Sequence, residues 1–405
     1  MLKLRALAAL LLVAVNFPVL ADVSEAEIAQ LKSEMMKLLS RVEALESENQ
    51  SLRSASGPAV DRKNKWTDSI KVKGDLRYRY EGIDQEGRAD RERNRLRARV
   101  QVTAKLPNNV EVGIGLASGS DDPISTNQSL GGGGSTKDIR LNLAYAKWQA
   151  TENLELVAGK FSNNWVRPHK SELLWDSDYT PEGLALTYDR GGFFLTSAIQ
   201  FLESDSRRSN HRFMWGLQSG YSASTENGKF TTAIGYHDIG AEGRATYRGD
   251  EDDFYGNAFT CANPAANTDC AYDNDYRITE LSLDWSTTIT GKPFSVYSHL
   301  AKNQAADSHD TAWGVGASLG KVSDRGTWKL GYRYQVKEAD SVFGLLAGSD
   351  FAGGGTDSRG HIIKGNIGIN KRWSLGLTYF INEQNMDFGT ERDYDRIQID
   401  SQFKF

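Results

Sequence analysis

The feature that most constrains this chain is a two-residue alternation, repeated in segments of about ten residues from Ser69 onward. Leu96, Ala98, Val100, Val102, Ala104 and Leu106 alternate with Arg95, Arg97, Arg99, Gln101, Thr103 and Lys105. Successive side chains of a strand point to opposite faces, so this segment has one apolar face and one charged face. The same pattern sets Ile70, Val72, Gly74, Leu76, Tyr78 and Tyr80 against Lys71, Lys73, Asp75, Arg77 and Arg79. It returns in Trp328, Leu330, Tyr332, Tyr334 and Val336, and in Trp373, Leu375, Leu377, Tyr379 and Ile381. It is most ragged at 154–161, 182–189 and 276–285.

Short and long connections take turns between these segments. Short ones fall near 107–109, 151–153, 189–192, 222–229, 287–293, 321–327 and 370–372. Long ones fall near 81–90, 119–137, 162–180, 202–211, 239–274, 302–310, 338–358 and 383–393. Seven short and eight long connections imply sixteen strands, sorted as in an up-and-down barrel with one tight rim and one looped rim. A soluble barrel of that size would enclose a void that apolar side chains cannot fill. Turned inside out, the apolar face meets lipid, the charged face meets water, and closure satisfies the backbone. The 9 Trp, 16 Tyr and 16 Phe gather near strand ends (Trp148, Trp215, Trp285, Trp313, Trp328), as interfacial girdles require. Beyond the first two dozen residues, no stretch approaches the roughly 20 apolar residues of a membrane helix.

The N-terminal part reads differently. Residues 1–21 have the order of a secretory signal: Lys3 and Arg5, the apolar run Ala6 to Val15, then Val19-Leu20-Ala21 before cleavage. From 22 to 53 the apolar residues repeat in sevens, with Ile28, Met35 and Val42 in one set and Leu31, Leu38, Leu45 and Leu52 in the other. This narrow seam predicts a coiled-coil helix that needs a partner, and Asn49 in the first set leans toward two strands. Residues 54–67, with Gly57-Pro58, read as a linker, and 68–405 as the barrel. The formal charge of -5 gives no support for nucleic-acid binding. Two cysteines exclude a disulfide scaffold or a four-cysteine zinc module.

Ile397, Ile399, Phe403 and Phe405 share one parity, and a phenylalanine closes this last alternating segment. That ending resembles the C-terminal signature of bacterial outer-membrane barrels. With the signal, the heptads and the strand pattern, the chain resembles a Gram-negative outer-membrane porin of the group labelled putative porins, with an N-terminal coil. The resemblance implies a sixteen-stranded transmembrane barrel in the outer membrane, the coil in the periplasm, and passive diffusion of ions and small hydrophilic solutes. It also implies a homotrimer, held through barrel and coil, which stands against the two-strand preference of Asn49; the trimer is favoured. Lipid and lipopolysaccharide are the expected surroundings and peptidoglycan a candidate partner of the coil. No enzyme activity, cofactor or metal is expected.

Two features place a constriction. The first is a basic ladder on the water-facing parity of the first two strands: Lys73, Arg77, Arg79, Arg95, Arg97 and Arg99. Like charges at this density fit an aqueous bore better than a packed interior. Arg91 and Arg93 read equally well as a solvated rim. The second is the connection 162–180 between the fifth and sixth strands, continuing to Gly183. It carries Glu172, Asp176, Asp178 and Glu182, with Trp165, Leu173, Leu174 and Trp175 as apolar anchors. Acids on an inserted loop opposite arginines would set a transverse field that filters ions and leans toward anions.

Cys261 and Cys270 fall in the longest loop and are expected to form a disulfide after export. The acids Asp250 to Asp253 read as a solvated loop, since their spacing matches no calcium loop. Three other functions remain in view: an outer-membrane hydrolase, although the six histidines form no motif; an envelope tether gripping the cell wall; and a gated, substrate-specific channel.

Overall fold

The computed structural model describes residues 69–204 and 211–405, together with Ser33, Lys37, Ser40, Arg41, Ala44 and Ser47. Those six are helical and exposed. The apolar seam of the heptads, the segment 1–21 and the segment 54–67 lie outside the described residues.

The strands in chain order are β1 (Ile70–Gln85), β2 (Arg91–Leu106), β3 (Val110–Ser118), β4 (Gln128–Ser129), β5 (Ile139–Thr151), β6 (Leu154–Lys160) and β7 (Glu182–Arg190). Then come β8 (Phe193–Glu203), β9 (Arg212–Thr225), β10 (Gly228–Ile239), β11 (Phe259–Asn263), β12 (Thr268–Tyr272) and β13 (Tyr276–Ile289). The last are β14 (Lys292–Asn303), β15 (Thr311–Gly320), β16 (Trp328–Lys337), β17 (Ser358–Gly368), β18 (Trp373–Gln384) and β19 (Arg392–Lys404). Among the described residues, sixteen of these form one antiparallel barrel, and β19 closes it on β1 from Asp75↔Lys404 to Gln85↔Tyr394. The two-residue β4 is an addition to β2, and β11 and β12 make a separate hairpin inside the longest loop.

The strands form where alternation is strong and also where it is ragged, because pairing on both sides outweighs an imperfect pattern. The tight rim is set by turn residues. Asn108 and Asn109 both have φ near +60°, as do Gly191 and, more openly, Gly192, the mirror-image turns that match strand twist.

The faces are sorted as the alternation requires. Val72, Val100, Ile114, Leu184, Leu217, Ile234, Leu283, Leu330 and Leu377 all stand exposed on the outer face. Arg79, Arg97, Gln200, Gln218, Glu280, His299, Gln335 and Arg396 are buried on the inner one. At about 25 cal/mol per Å2 this outer surface would be costly in water and is satisfied only by lipid.

The looped end of the bore holds an apolar core that includes the expected anchors Trp165, Leu173, Leu174 and Trp175 and extends beyond them. Leu173, Leu174 and Trp175 from loop 161–181 meet Phe254 and Tyr272 from loop 240–275, and Val342, Phe343, Leu345 and Leu346 from loop 338–357. They pack on Met214, Ile239, Tyr276, Ile278, Ala301 and Ala312, which sit at the looped ends of the wall strands. Loops of this length bring apolar residues of their own, and folding into the bore removes these from water.

Candidate functional site

The inner wall of β19, β1 and β2 is a grid fixed by register. Asp75 lies opposite Arg99, Arg77 opposite Arg97, Arg79 opposite Arg95 and Glu81 opposite Arg93. On the other side, Arg79 lies opposite Asp400 and Glu81 opposite Gln398. Seven guanidiniums (Arg77, Arg79, Arg93, Arg95, Arg97, Arg99, Arg396) therefore share this wall and its loops with five carboxylates (Asp75, Glu81, Asp178, Asp350, Asp400).

Most of these charges are paired in contact. Arg79 donates Nε to Asp400 at 2.6 Å and Nη1 to Asp350 at 3.0 Å. Arg97 and Arg99 each reach Asp75 at 2.8 Å, and Arg99 also reaches Asp178 at 3.0 Å. Glu81 is fully buried and accepts from Arg93, Arg396 and Gln398. Arg77 and Arg95 have the weakest pairing: Arg77 donates to Asn127 at 2.6 Å, and Arg95 lies 4.0 Å from Glu81. Buried charges left alone are expensive, and this network satisfies most of them.

Loop 161–181 enters the bore against the opposite wall. Trp165 and Trp175 meet the His237 ring edge-on at 4.8 and 5.1 Å. The backbone N–H of Val166 donates to Gln218 at 2.8 Å, and Ser171 bonds His299 at 3.1 Å. His237 and His299 hold the two oxygens of the buried Glu280 at 3.0 and 2.9 Å. Loop 338–357 packs on top: Asp176 takes the backbone N–H of Ser349 at 2.7 Å and gives its own N–H to Leu346 at 2.8 Å. Burial, with Glu172 and Asp178 beside it, raises the Asp176 carboxyl well above the usual range. Burial would raise Asp350 as well, but Arg396, Arg79 and Arg77 hold it well below that range.

The expected site residues thus divide. Asp178 joins the ladder through Arg99, and Asp176 ties the two inserted loops together. Glu172 is near Lys364, and its carbonyl accepts from Gly348. Glu182 does not join them: it begins β7 with the parity of the outward Leu184 and pairs with Lys160 at 2.9 Å. Arg77, Arg79, Arg95, Arg97 and Arg99 face inward, while Lys73 is exposed near the short-turn end of β1. Arg91 is exposed. Cys261 and Cys270 oppose each other in the β11–β12 hairpin and are joined by a disulfide. Among the described residues no group of His, Cys, Asp and Glu is arranged to hold a metal ion.

Sequence reasoning missed Asp75, Glu81, Arg396 and Asp400, although each shares the inward parity of its strand. It also missed Asp350, which lies in a loop with no period to read.

The profile of a family described as Putative porin matches residues 84–246 and 256–405. No curated protein sequence matches the chain. Among solved structures, OmpF of Salmonella typhi in complex with daunomycin is similar at a TM-score of 0.50 and 10% identity, over 84% of this chain and 99% of that one. A loop L8 deletion mutant of the outer-membrane protein OmpT of Vibrio cholerae gives 0.49 and 13%, over 84% and 100%. The trimer form of in-vitro folded OmpT gives 0.48 and 13%, over 83% and 99%. At 10% identity the likeness to OmpF concerns the fold alone.

Proposed function

This chain belongs to the Putative porin family of Gram-negative outer-membrane porins, and from that premise we propose that it passes ions and small hydrophilic solutes by diffusion through a narrowed, anion-leaning bore. The observation that carries the reading is the inner wall, where seven guanidiniums meet five carboxylates beside two inserted loops. The surplus favours anions, and the loops make the passage narrow enough for fixed charge to matter. Contact pairing shortens the reach of the field that loop acids facing a free ladder would have produced.

In this proposal residues 1–21 direct export, 22–53 form a coil in the periplasm, 54–67 link it to the barrel, and the chain assembles as a homotrimer in lipid and lipopolysaccharide. The heptad seam supports self-association. No covalent chemistry is needed, since the wall acts by charge and width. The apolar loop core favours a second reading, a channel that admits few substrates, because a bore narrowed by packed loops discriminates more than an open one.

Purified protein in planar bilayers and in liposome-swelling assays tests both. A conducting pore with chloride preferred over potassium, and sugars excluded by size, is the expected outcome. Absence of conductance and swelling would exclude the channel and leave a tether binding peptidoglycan.

A further inference from the structure

The arginine ladder is largely neutralised, but another part of the bore is not. On β16, Lys329 and Arg333 take the inward parity, with Trp328, Leu330, Tyr332 and Tyr334 outward. On β17, Lys364 takes the inward parity between the exposed Ile363 and Ile367. Register sets Lys364 opposite Gly331 and Lys329 opposite Asn366, so the two lysines are diagonal neighbours on one face. Gly331 has no side chain to separate them. Loop 161–181 adds a third cation, the exposed Lys170, and both Lys170 and Lys364 act electrostatically on Lys329.

None of these three ammonium groups has a carboxylate within ion-pair distance among the described residues. The acids within electrostatic reach are few. Glu172 serves Lys364 but also Arg167 and Lys337, while Asp400 and Asp350, which also act on Lys364, are held by Arg79 and by Arg79 and Arg396 respectively. Asp284 faces His169 rather than the lysines. The half-buried Lys329 is repelled by the exposed Lys170 on the inserted loop and the exposed Lys364 on the wall beside it, and a bound anion relieves that repulsion.

We infer that Lys170, Lys329 and Lys364 form an oxyanion station in the bore, taking small solutes that carry carboxylate or phosphate groups. The station rests on the channel reading above and adds its recognition element. Lysine suits transit: a compact, mobile point charge holds an oxyanion without the bidentate grip of an arginine fork. A station of this kind concentrates anions locally yet lets them leave, as conduction requires.

The test is single-channel recording across a potassium chloride gradient, with inorganic phosphate or succinate added as blocker. Wild type is expected to prefer chloride and to lose chloride current to at least one blocker, and the effective blocker identifies phosphate or carboxylate as the group taken. K170Q/K329Q/K364Q is expected to shift the reversal potential toward potassium and to abolish the block, while K170R/K329R/K364R retains both. If the glutamine triple does not refold, K364Q alone should show the same loss in part, because that side chain is exposed. A conducting glutamine variant with wild-type reversal potential and wild-type block overturns the station and leaves the channel standing. A wild type that does not conduct overturns both.

Discussion

Asp350 shows how one residue ties a loop to the wall. Its carboxylate accepts from Arg79 at 3.0 Å and from Arg396 at 2.8 Å, and its carbonyl accepts from Arg396 at 3.0 Å. Asp350→Asn leaves Arg79 with Asp400 and Arg396 with Glu81, so the expected loss is about 2 kcal/mol, as for hydrogen bonds to charged groups. Urea unfolding in vesicles measures that loss, and a rise in single-channel conductance reports the freed loop. The carboxyl is held below its unfolded value, so its stabilisation is present at neutral pH and is lost only as strong acid titrates the folded form. Asp357 has the opposite sign. Burial, with Asp387 adjacent, lifts it to about 6 while it accepts the backbone N–H groups of Asp387 and Phe388. Its contribution is full below the unfolded value near 4 and fades as pH rises through about 6. Urea unfolding should therefore show a component of stability that is larger at pH 5 than at pH 7, and Asp357→Asn should flatten that difference.

At the scale of the strand, each face has its own solvent, which is why the barrel was legible in sequence. Leu330 is 57% exposed on the lipid side of β16, while Asn366 on β17 faces the bore opposite Lys329. Leu330 lies two residues from the girdle residue Trp328, so Leu330→Arg should cost about 1 kcal/mol, as near an interface, whereas Asn366→Arg should change stability less and move ion preference toward anions. Urea titration and reversal potentials read the two effects separately. The strand period carries this information because every second residue answers to lipid. Loops answer to no such period. Trp165, Leu173, Leu174 and Trp175 could be picked out as anchors because four large apolar residues in one polar connection need a partner. The equally buried Val342, Phe343, Leu345 and Leu346 were passed over, since a loop shows where apolar residues are but not what they will meet. The ladder was legible for its sign and not for its pairing. Arg79 finds Asp400 across 321 positions, and only closure of the barrel brings them together.

For the whole molecule, closure depends on one seam, where the last strand meets the first. Gly74 gives its backbone N–H to the Phe405 carbonyl at 2.9 Å and accepts the Phe405 N–H at 3.1 Å. A methyl at Gly74 would lie 2.5 Å from the Phe405 ring and 2.5 Å from the Arg99 carbonyl, so any side chain there forces ring and backbone apart. Gly74→Val, although β-branched and suited to a strand, should therefore destabilise by about 1–3 kcal/mol through overpacking. The effect should spread beyond its site, because β1 carries Asp75, Arg77, Arg79 and Glu81 between Asp400 on one side and Arg97 and Arg99 on the other. A seam that parts at Gly74 lets go of both sides of that grid, and the loops bonded to it lose their wall. Heat-modified mobility on gels is the measurement: the valine variant should shift to the unfolded position at a lower temperature than wild type, and Phe405→Ala in the same chain should restore part of the difference by vacating the space the valine needs. If Gly74→Val melts with wild type, the seam is not where the barrel is held shut, and the ion-pair grid must then survive without close contact between its two terminal strands.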